Sequence, residues 1–203
     1  LQGWFPDKFL YRADRDSYDY VYSVDDLADL KGRKFQKKRN HVNRFRAEHS
    51  QFELQNLTDG NFSAAQRMVG EWYRARMQAD PTGDYMMESI AMSRAFRHYE
   101  GLQMESAVLV ENGEILAVTM GSRLWSDTFD IHFEKAREDV DGAYAAVNCE
   151  FARYLRLKYP NLRYLNREDD VGLAGLRKAK LSYNPHHMVE KSWAYLAEDF
   201  HGD

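Results

Sequence analysis

Three titratable side chains stand at alternate positions of one short segment: Asp130, His132 and Glu134. The residues between them are apolar, and this alternation predicts a β-strand with the three polar groups on one face. An imidazole or carboxylate there could act as the general base that deprotonates an attacking amine or hydroxyl, and we predict His132 or Glu134 in this role. A metal site is not expected, because neither a closely spaced His pair nor a Cys accompanies the group. The alternative is a half-exposed strand with a polar outer face.

A second polar segment, residues 166–185, follows a short apolar run and contains a predicted helix. Ligands are commonly held where a strand of an α/β layer ends. A carboxylate at this point could bind a substrate ammonium group, and a cation could bind an anion. The predicted substrate ligands are Asn166, Glu168, Asp169, Arg177 and Lys180. The alternative is a helix N-terminus stabilised by acidic side chains, followed by a turn that Pro185 fixes.

A strongly basic segment lies between residues 31 and 46, where eight Lys and Arg residues occur without any acid. Along a helix, such residues could neutralise the phosphates of tRNA, of an acyl-carrier cofactor or of a lipid headgroup. The predicted phosphate- or RNA-binding residues are Lys37, Lys38, Arg39, Asn40 and Asn43. The net charge of the whole chain is −4. This favours the alternative that the basic face is only solvated or docks on acidic parts of the same protein.

The composition is that of a globular protein, with 44% apolar and 30% charged residues. The single cysteine, Cys149, excludes an intramolecular disulfide, and we expect it to pack inside a helix and not to act as a nucleophile. No run approaches the roughly 18 apolar residues that span a bilayer, so no transmembrane segment is predicted. These features together predict a cytoplasmic protein.

The elements that position these residues follow from periodicity and turn signals. Before residue 51 we predict a strand at 18–22, a short capped helix, and a basic helix with a buried stripe of Phe35, Val42 and Phe45. From residue 51 the predicted order is β-α-α-β-β-β-α-β-α-β. The predicted strands are 51–57, 106–110, 114–124, 127–134, 162–166 and 186–196. One predicted helix begins at residue 63, and the others are 87–99, 143–158 and 172–180. This order predicts an α+β fold in which helices flank a mixed, mostly antiparallel sheet, as in the N-acetyltransferase-like (GNAT-like) fold.

Several motifs resemble one bacterial family. They are Tyr18-Asp19-Tyr20-Val21-Tyr22, the segments 30–35 and 37–45, His132-Phe133-Glu134-Lys135-Ala136, Gly142-Ala143-Tyr144 with Asn148, and the segment 166–185. Together they make the chain similar to the family named for the C-terminal domain of phosphatidylglycerol lysyltransferase, mostly to its small soluble, uncharacterised members. The resemblance extends over nearly the whole chain.

This resemblance implies two tandem acetyltransferase-like halves. Residues 1–50 would be the tail of a first half plus the basic linking helix, and residues 51–203 the second acetyltransferase-like domain. Because the first residue is Leu, we expect that an N-terminal portion is missing. Lysyltransferase members of the family move lysine from charged tRNA to a lipid headgroup. The resemblance also implies that Asn148 binds substrate and that Tyr183 is the general acid for the leaving group, as a late Tyr is in many N-acetyltransferases.

The segment that would form the donor loop departs from the pattern of the fold. Members that use acetyl-CoA carry a Gly-rich loop whose backbone amides cradle the pyrophosphate. Residues 135–142 contain one Gly and three acids, which would repel a pyrophosphate. Acyl-CoA and aminoacyl-tRNA both stay open as co-substrates, but this loop favours aminoacyl-tRNA, another donor or no catalysis.

We therefore predict an acyl or aminoacyl transferase that moves an acyl group to an amine or hydroxyl acceptor, either a small molecule or a lipid headgroup. The alternative is a non-catalytic ligand-binding or RNA-binding module on the same fold.

Overall fold

The computed structural model describes residues 3–197. Its strands are β1 (Phe9–Ala13), β2 (Asp19–Ser23), β3 (Glu53–Asn56), β4 (Glu105–Glu111), β5 (Glu114–Arg123), β6 (Thr128–Ala136), β7 (Tyr164–Asn166), β8 (His187–Val189) and β9 (Ser192–Leu196). Its α-helices are α1 (Val24–Asp29), α2 (Gln36–Glu48), α3 (Asp59–Ala79), α4 (Tyr85–His98), α5 (Ala143–Lys158) and α6 (Ala174–Leu181). None of the helices in this part of the chain has the length and apolar character needed to cross a bilayer.

Seven strands form one sheet in the order β3-β4-β5-β6-β7-β2-β8. Neighbouring strands run antiparallel, apart from β6 and β7, which are parallel. A parallel pair needs a crossover connection, and α5 supplies it here. The predicted fold class is confirmed: a mixed, mostly antiparallel sheet flanked by helices in an N-acetyltransferase-like arrangement.

The parallel pair at the centre of the sheet is very short. Thr128–Asp130 of β6 lies beside Tyr164–Asn166 of β7. Strand β7 ends at Asn166, whereas β6 continues to Ala136. Side chains that follow β7 can therefore reach the part of β6 that lies beyond the shared stretch.

Helices cover both faces of this sheet. On one face, α5 buries Ala146, Phe151 and Leu155, and its many alanines allow close approach to the strands. Helices α1 and α2 pack on α5. On the other face, α3 and α4 form a core with alternate residues of β4 and β5, including Met92 and Val118. We call these the α5 face and the α4 face.

The N-terminal segment is part of the same sheet. Strand β2 lies between β7 and β8, and Tyr20 and Tyr22 are fully buried in the core on the α5 face. In the basic segment, Phe35, Val42 and Phe45 are buried as predicted. The division of the chain at residue 50 stays a prediction.

Three elements differ from the sequence-based expectation, and one of them, strand β1, was not predicted. The strand predicted at 186–196 is two strands, with β8 in the main sheet and β9 paired to β1 in a separate two-stranded sheet. The chain changes direction between them, where the Lys191 ammonium donates to the Asp19 carboxylate at 2.5 Å. The helix predicted from residue 63 begins earlier, at Asp59, because Thr58 and Asn61 form the capping box.

Candidate active site

A β-bulge in β6 decides which side chains meet. In the pairing with β5, Met120 lies opposite Phe133 and the next residue, Gly121, lies opposite Ile131. His132 is therefore the extra residue of the bulge, and the alternation of side chains is inverted after it. Phe133 joins the core on the α4 face, whereas Glu134 contacts Asn148 of α5. The prediction that Asp130, His132 and Glu134 share one face is wrong: Glu134 lies on the α5 face, away from the other two.

On the α4 face, four polar side chains form what we call the His132 cluster: Ser122, Asp130, His132 and Glu168. The imidazole is bonded at both nitrogens, with Nδ1 at 3.1 Å from Glu168 Oε1 and Nε2 at 2.8 Å from Ser122 Oγ. Asp130 Oδ2 lies 3.8 Å from Nδ1. Because a carboxylate accepts only from an N–H, Glu168 fixes the proton on Nδ1 and leaves Nε2 as the acceptor for Ser122.

The carboxylates of this cluster shift its proton affinities. The hydrogen bond to Glu168 raises the pKa of His132 above its ordinary value of 6.5, burial opposes the rise, and the charge of Asp130 adds to it. Burial and the charge of Glu168 raise the pKa of Asp130 to about 6. Among residues 3–197, Asp130 Oδ1 is buried without a hydrogen-bond partner. Because two carboxylates face a single imidazole, the cluster carries an excess of negative charge.

Asn166 holds the cluster in place. Its side-chain oxygen accepts from the backbone N–H of Glu168 at 2.8 Å, and its nitrogen donates to Asp19 at 3.1 Å. Glu168 has a positive φ of 55°, a conformation that a non-glycine residue adopts at a cost. Asn166 is thus a positioning residue for Glu168. One potential ligand atom from each of Asp130, His132 and Glu168 lies within 4.8 Å of the other two, and these three atoms could hold a cation. The expectation that no metal binds therefore stays a prediction.

The His132 cluster opens on a pocket of roughly 400 Å³. Strands β5 and β6 contribute Ser122, His132 and Phe133 to it, and the opposite wall comes from α4 and the loop after it. That wall is mostly apolar and is made of Ala91, Arg94, Ala95, Leu102 and Met104. An apolar pocket with a few convergent polar groups is the usual form of a small-molecule site.

On the α5 face, a second group forms what we call the Arg167 cluster: Lys38, Glu134, Asn148, Arg167 and Tyr183. The Arg167 guanidinium donates to Glu134 Oε1 at 2.7 Å and lies against the Asn148 amide. The ring of Tyr183 contacts two cations, with its centroid 5.2 Å from the guanidinium carbon of Arg167 and 3.9 Å from Lys38 Nζ. Arg167 thus occupies the space where β6 continues beyond β7.

Positive charge is in excess in this cluster. Burial and the charge of Arg167 lower the pKa of Lys38 to about 8. The same causes lower the pKa of nearby Lys180 to about 8, although its ammonium donates to the backbone carbonyl of Arg167 at 2.5 Å and to that of Asp169. Burial raises the pKa of Tyr183 to about 12, so its phenol keeps its proton at neutral pH.

The sequence matches the family described as "Phosphatidylglycerol lysyltransferase, C-terminal" over residues 4–195. The chain belongs to this family. The resemblance predicted from the motifs is confirmed, and both family and fold are acyltransferase-like.

Solved structures of similar proteins agree with this assignment. A conserved protein of unknown function from Bacteroides thetaiotaomicron is 40% identical, with a TM-score of 0.88, over 97% of this chain and 65% of that one. The L-PGS of Bacillus licheniformis, at 17% identity, shares the fold with a TM-score of 0.64 over 92% of this chain and 62% of that one. An uncharacterised protein of Mycoplasmoides gallisepticum is 23% identical over 86% of this chain and 55% of its own length. The chain thus spans less than two thirds of these relatives.

Some of the family motif residues hold the structure together. Arg177 donates to the fully buried carboxylate of Asp170 at 2.7 and 2.8 Å and to Asp16 at 2.5 Å. The Tyr20 hydroxyl donates to the same Asp170 carboxylate at 2.5 Å. The predicted anion-binding residue Arg177 is therefore already engaged by two carboxylates. Asp169 is half-buried, and burial raises its pKa.

The arginines of the basic segment also find partners within the chain. Arg39 donates to the backbone carbonyls of Leu30 and Gly32, Arg44 pairs with Asp141, and Arg46 pairs with Glu150. The alternative that this helix docks on acidic parts of the same protein accounts for Arg44 and Arg46, whereas Arg39 binds backbone carbonyls. The side chains of Lys37, Asn40 and Asn43 are exposed.

The N-terminus of α5, where a pyrophosphate would bind, is in contact with α2. Gly142 precedes α5 with a φ of 82°, and a Cβ there would lie 2.9 Å from the backbone oxygen of His41. The loop acids pair with arginines: Glu138 with Arg76, Asp139 with Arg137, and Asp141 with Arg44. These contacts leave little room for a phosphate cradle.

Sequence reasoning missed Ser122 and Arg167 as site residues. Ser122 is brought to His132 by the register of β5 and β6, which the bulge alters. Arg167 was part of a recognised motif, but only the parting of β6 and β7 shows that it faces Glu134 and not solvent. Cys149 is buried in α5 as predicted, its thiol donates to the Ala28 carbonyl, and burial raises its pKa.

Proposed function

We propose that this protein transfers an acyl or aminoacyl group to an amine or hydroxyl acceptor, with His132 as the general base. The observation that carries the proposal is the pair of hydrogen bonds on the imidazole, to Glu168 at Nδ1 and to Ser122 at Nε2, beside an open pocket. A base needs a lone pair directed at the site, here Nε2 toward the Ser122 hydroxyl at the pocket, and a partner that stabilises its protonated form.

The geometry supports a definite proton path. An acceptor that enters the pocket loses its proton to His132 Nε2 as it attacks the acyl carbon, and the Glu168 carboxylate stabilises the imidazolium. The excess negative charge of Asp130 and Glu168 also suits an ammonium group on the acceptor or on an aminoacyl donor. Asp169 is the further carboxylate available for such a group.

Glu134, the other predicted base, fits this role less well. It is bonded to Arg167 and Asn148 on the opposite face of the sheet. A carboxylate in a buried ion pair gives up its partner's stabilisation when it takes a proton. Tyr183, the predicted general acid, is buried in the Arg167 cluster with Asn148 on the α5 face, so in this proposal both residues support the fold and His132 carries the proton to the leaving group.

For the donor, we propose an aminoacyl ester of tRNA in preference to acyl-CoA. The contact between Gly142 and His41 and the arginine-paired acids of the loop both argue against a pyrophosphate at α5. Membership of the family favours a lipid headgroup or a similar small molecule as the acceptor. The exposed Lys37, Asn40 and Asn43 are the proposed contacts for tRNA.

The test is a transfer assay with the full chain, tRNA charged with a mixture of labelled amino acids, and either phosphatidylglycerol vesicles or soluble amines. We expect label in an acceptor fraction and a loss of about a hundredfold in rate for His132→Gln. His98→Gln, an exposed position on α4, is the matched control and keeps the wild-type rate. Equal rates for both variants would remove His132 from the mechanism, and transfer from acyl-CoA alone would contradict the proposed donor.

A further inference from the structure

Ser122 completes an ordered row of three catalytic-type groups. Its hydroxyl lies 2.8 Å from His132 Nε2, and His132 Nδ1 lies 3.1 Å from Glu168 Oε1. This is the hydroxyl–imidazole–carboxylate sequence by which unrelated hydrolase folds activate a serine, and it is recognised by geometry and not by sequence position. A general base alone requires no serine at its accepting nitrogen.

The bulge in β6 produces this arrangement. Ser122 pairs with Asp130 across the two strands, and both side chains lie on the α4 face. The inserted His132 brings its ring between the Ser122 hydroxyl and Glu168, which approaches from the end of β7. Bulges are common beside active sites because they re-aim a side chain in this manner.

The surroundings of the hydroxyl suit an acyl chain. Ser122 is half-buried and lines the pocket of roughly 400 Å³ together with Phe133, Leu102 and Met104. Arg94 lies on the wall formed by α4 and the loop after it, with Leu102 and Met104, and is exposed. Apolar walls could receive an acyl group, and the guanidinium could receive an anionic part of the donor.

We infer that Ser122 is a nucleophile and that transfer proceeds in two steps through an acyl-Ser122 ester. This inference rests on the proposed transferase function and deepens it. It assigns His132 a proton-transfer role in both steps and makes Asn166 and Asp130 positioning residues.

Both steps balance with an acyl ester as donor. In the first, Ser122 Oγ attacks the acyl carbon, its proton passes to His132 Nε2, the ester C–O bond of the donor breaks, and the leaving alkoxide takes that proton. In the second, the acceptor amine or hydroxyl attacks the acyl-serine carbon and gives its proton to Nε2. The Oγ–acyl bond then breaks, and the proton returns to Ser122 Oγ.

The test uses a fluorophosphonate probe on the full-length protein, followed by peptide mass spectrometry. An activated serine attacks phosphorus, fluoride leaves, and the phosphonate stays on Oγ, so no natural substrate is needed. We expect the label on Ser122, no label in Ser122→Ala, and labelling about a hundredfold slower in Glu168→Gln. Ser126→Ala, at an exposed position in the following loop, is the matched control and keeps full labelling.

Absence of label from the wild-type protein, or equal labelling of Ser122→Ala, overturns the inference. Thermal melts of each variant exclude unfolding as the cause. The transfer assay separates the two proposals: a transfer rate that Ser122→Ala leaves unchanged sinks the nucleophile and leaves the transferase intact. Conversely, labelled Ser122 without transfer from any ester donor supports the nucleophile and sinks the transferase.

Discussion

Two charged clusters lie on opposite faces of the sheet, at the point where β6 and β7 part. The His132 cluster has more carboxylates than cations, whereas the Arg167 cluster has more cations than carboxylates. The pKa shifts in the two clusters have opposite signs. The charge of Glu168 helps to raise the pKa of Asp130, and the charge of Arg167 helps to lower the pKa of Lys38. The consecutive residues Arg167 and Glu168 point to opposite faces of the sheet. One therefore adds positive charge to the Arg167 cluster and the other adds negative charge to the His132 cluster.

The clusters also differ in access. His132 and Glu168 are partly exposed beside a pocket, with 30% and 45% of their side chains open to solvent. Arg167 and Glu134 are more enclosed, at 14% and 10%. Proton transfer needs an entry for substrate, whereas a buried ion pair mainly fixes geometry. The comparison therefore assigns chemistry to the α4 face and support to the α5 face.

The largest expected effect tests the supporting cluster. Arg167→Met leaves Glu134 buried without its cation, and we expect the free energy of unfolding to fall by about 3 kcal/mol. Urea denaturation measures this, and the exposed Arg163→Met serves as control with a change within about 0.5 kcal/mol. Adding Glu134→Gln to Arg167→Met should recover part of the loss. A single variant as stable as the wild type would show that the pair does not support the sheet.

The next prediction concerns pH dependence at the chemical cluster. His132 must be neutral to act, and its pKa lies above 6.5 because Glu168 raises it. Activity should therefore rise with pH through that pKa. Glu168→Gln removes the charge, lowers the pKa of His132, and moves the acid limb of kcat/KM to lower pH, while the plateau falls about tenfold. Glu190→Gln, which is exposed, should leave the profile unchanged. An acid limb that moves to higher pH would contradict this assignment.

A smaller effect is expected from Lys38 in the Arg167 cluster. Its folded-state pKa is lowered from 10.5 to about 8, so between these pH values the unfolded chain binds more protons and stability rises with pH. Replacing it by Met removes this dependence. Relative to Lys38→Met, the wild type should gain about 1 kcal/mol from pH 7 to 10.5, a figure reduced for partial exposure. Denaturation at several pH values measures the difference, with the exposed Lys37→Met as control; a flat difference would show that the pKa of Lys38 is not lowered in the folded protein.

The smallest expected change concerns the outer surface of α2. Lys37 is exposed, and Lys37→Ala should weaken tRNA binding by a few-fold and reduce the slope of affinity against salt by about one charge. Filter binding at several salt concentrations measures both quantities. Lys31→Ala, which removes an exposed lysine paired with Asp29, is the control. If neither variant binds tRNA more weakly than the wild type, the basic segment serves only as a docking helix.

The order of elements from residue 51 was readable from the sequence because periodicity and turn signals are local. The buried stripe of α2 was readable for the same reason. Several site residues, such as His132 and Glu168, were named from the sequence, but their grouping was not, because residues 129–134 alternate without a break in the sequence and the bulge arises only from the pairing with β5. Likewise, no local sequence signal indicates that β1 pairs with β9, because the two strands lie at opposite ends of the described part of the chain.

The place of β2 in the sheet bears on how the chain reaches its native state. Val21 is paired with Asn166 on one side and with His187 on the other. Strand β2 must therefore wait for partners that are synthesised much later in the chain, and contacts of such long sequence separation slow folding. The central pair of strands on which both clusters depend can assemble only once β7 has been synthesised. Chains truncated before residue 166 should consequently expose an unpaired β6 edge and aggregate.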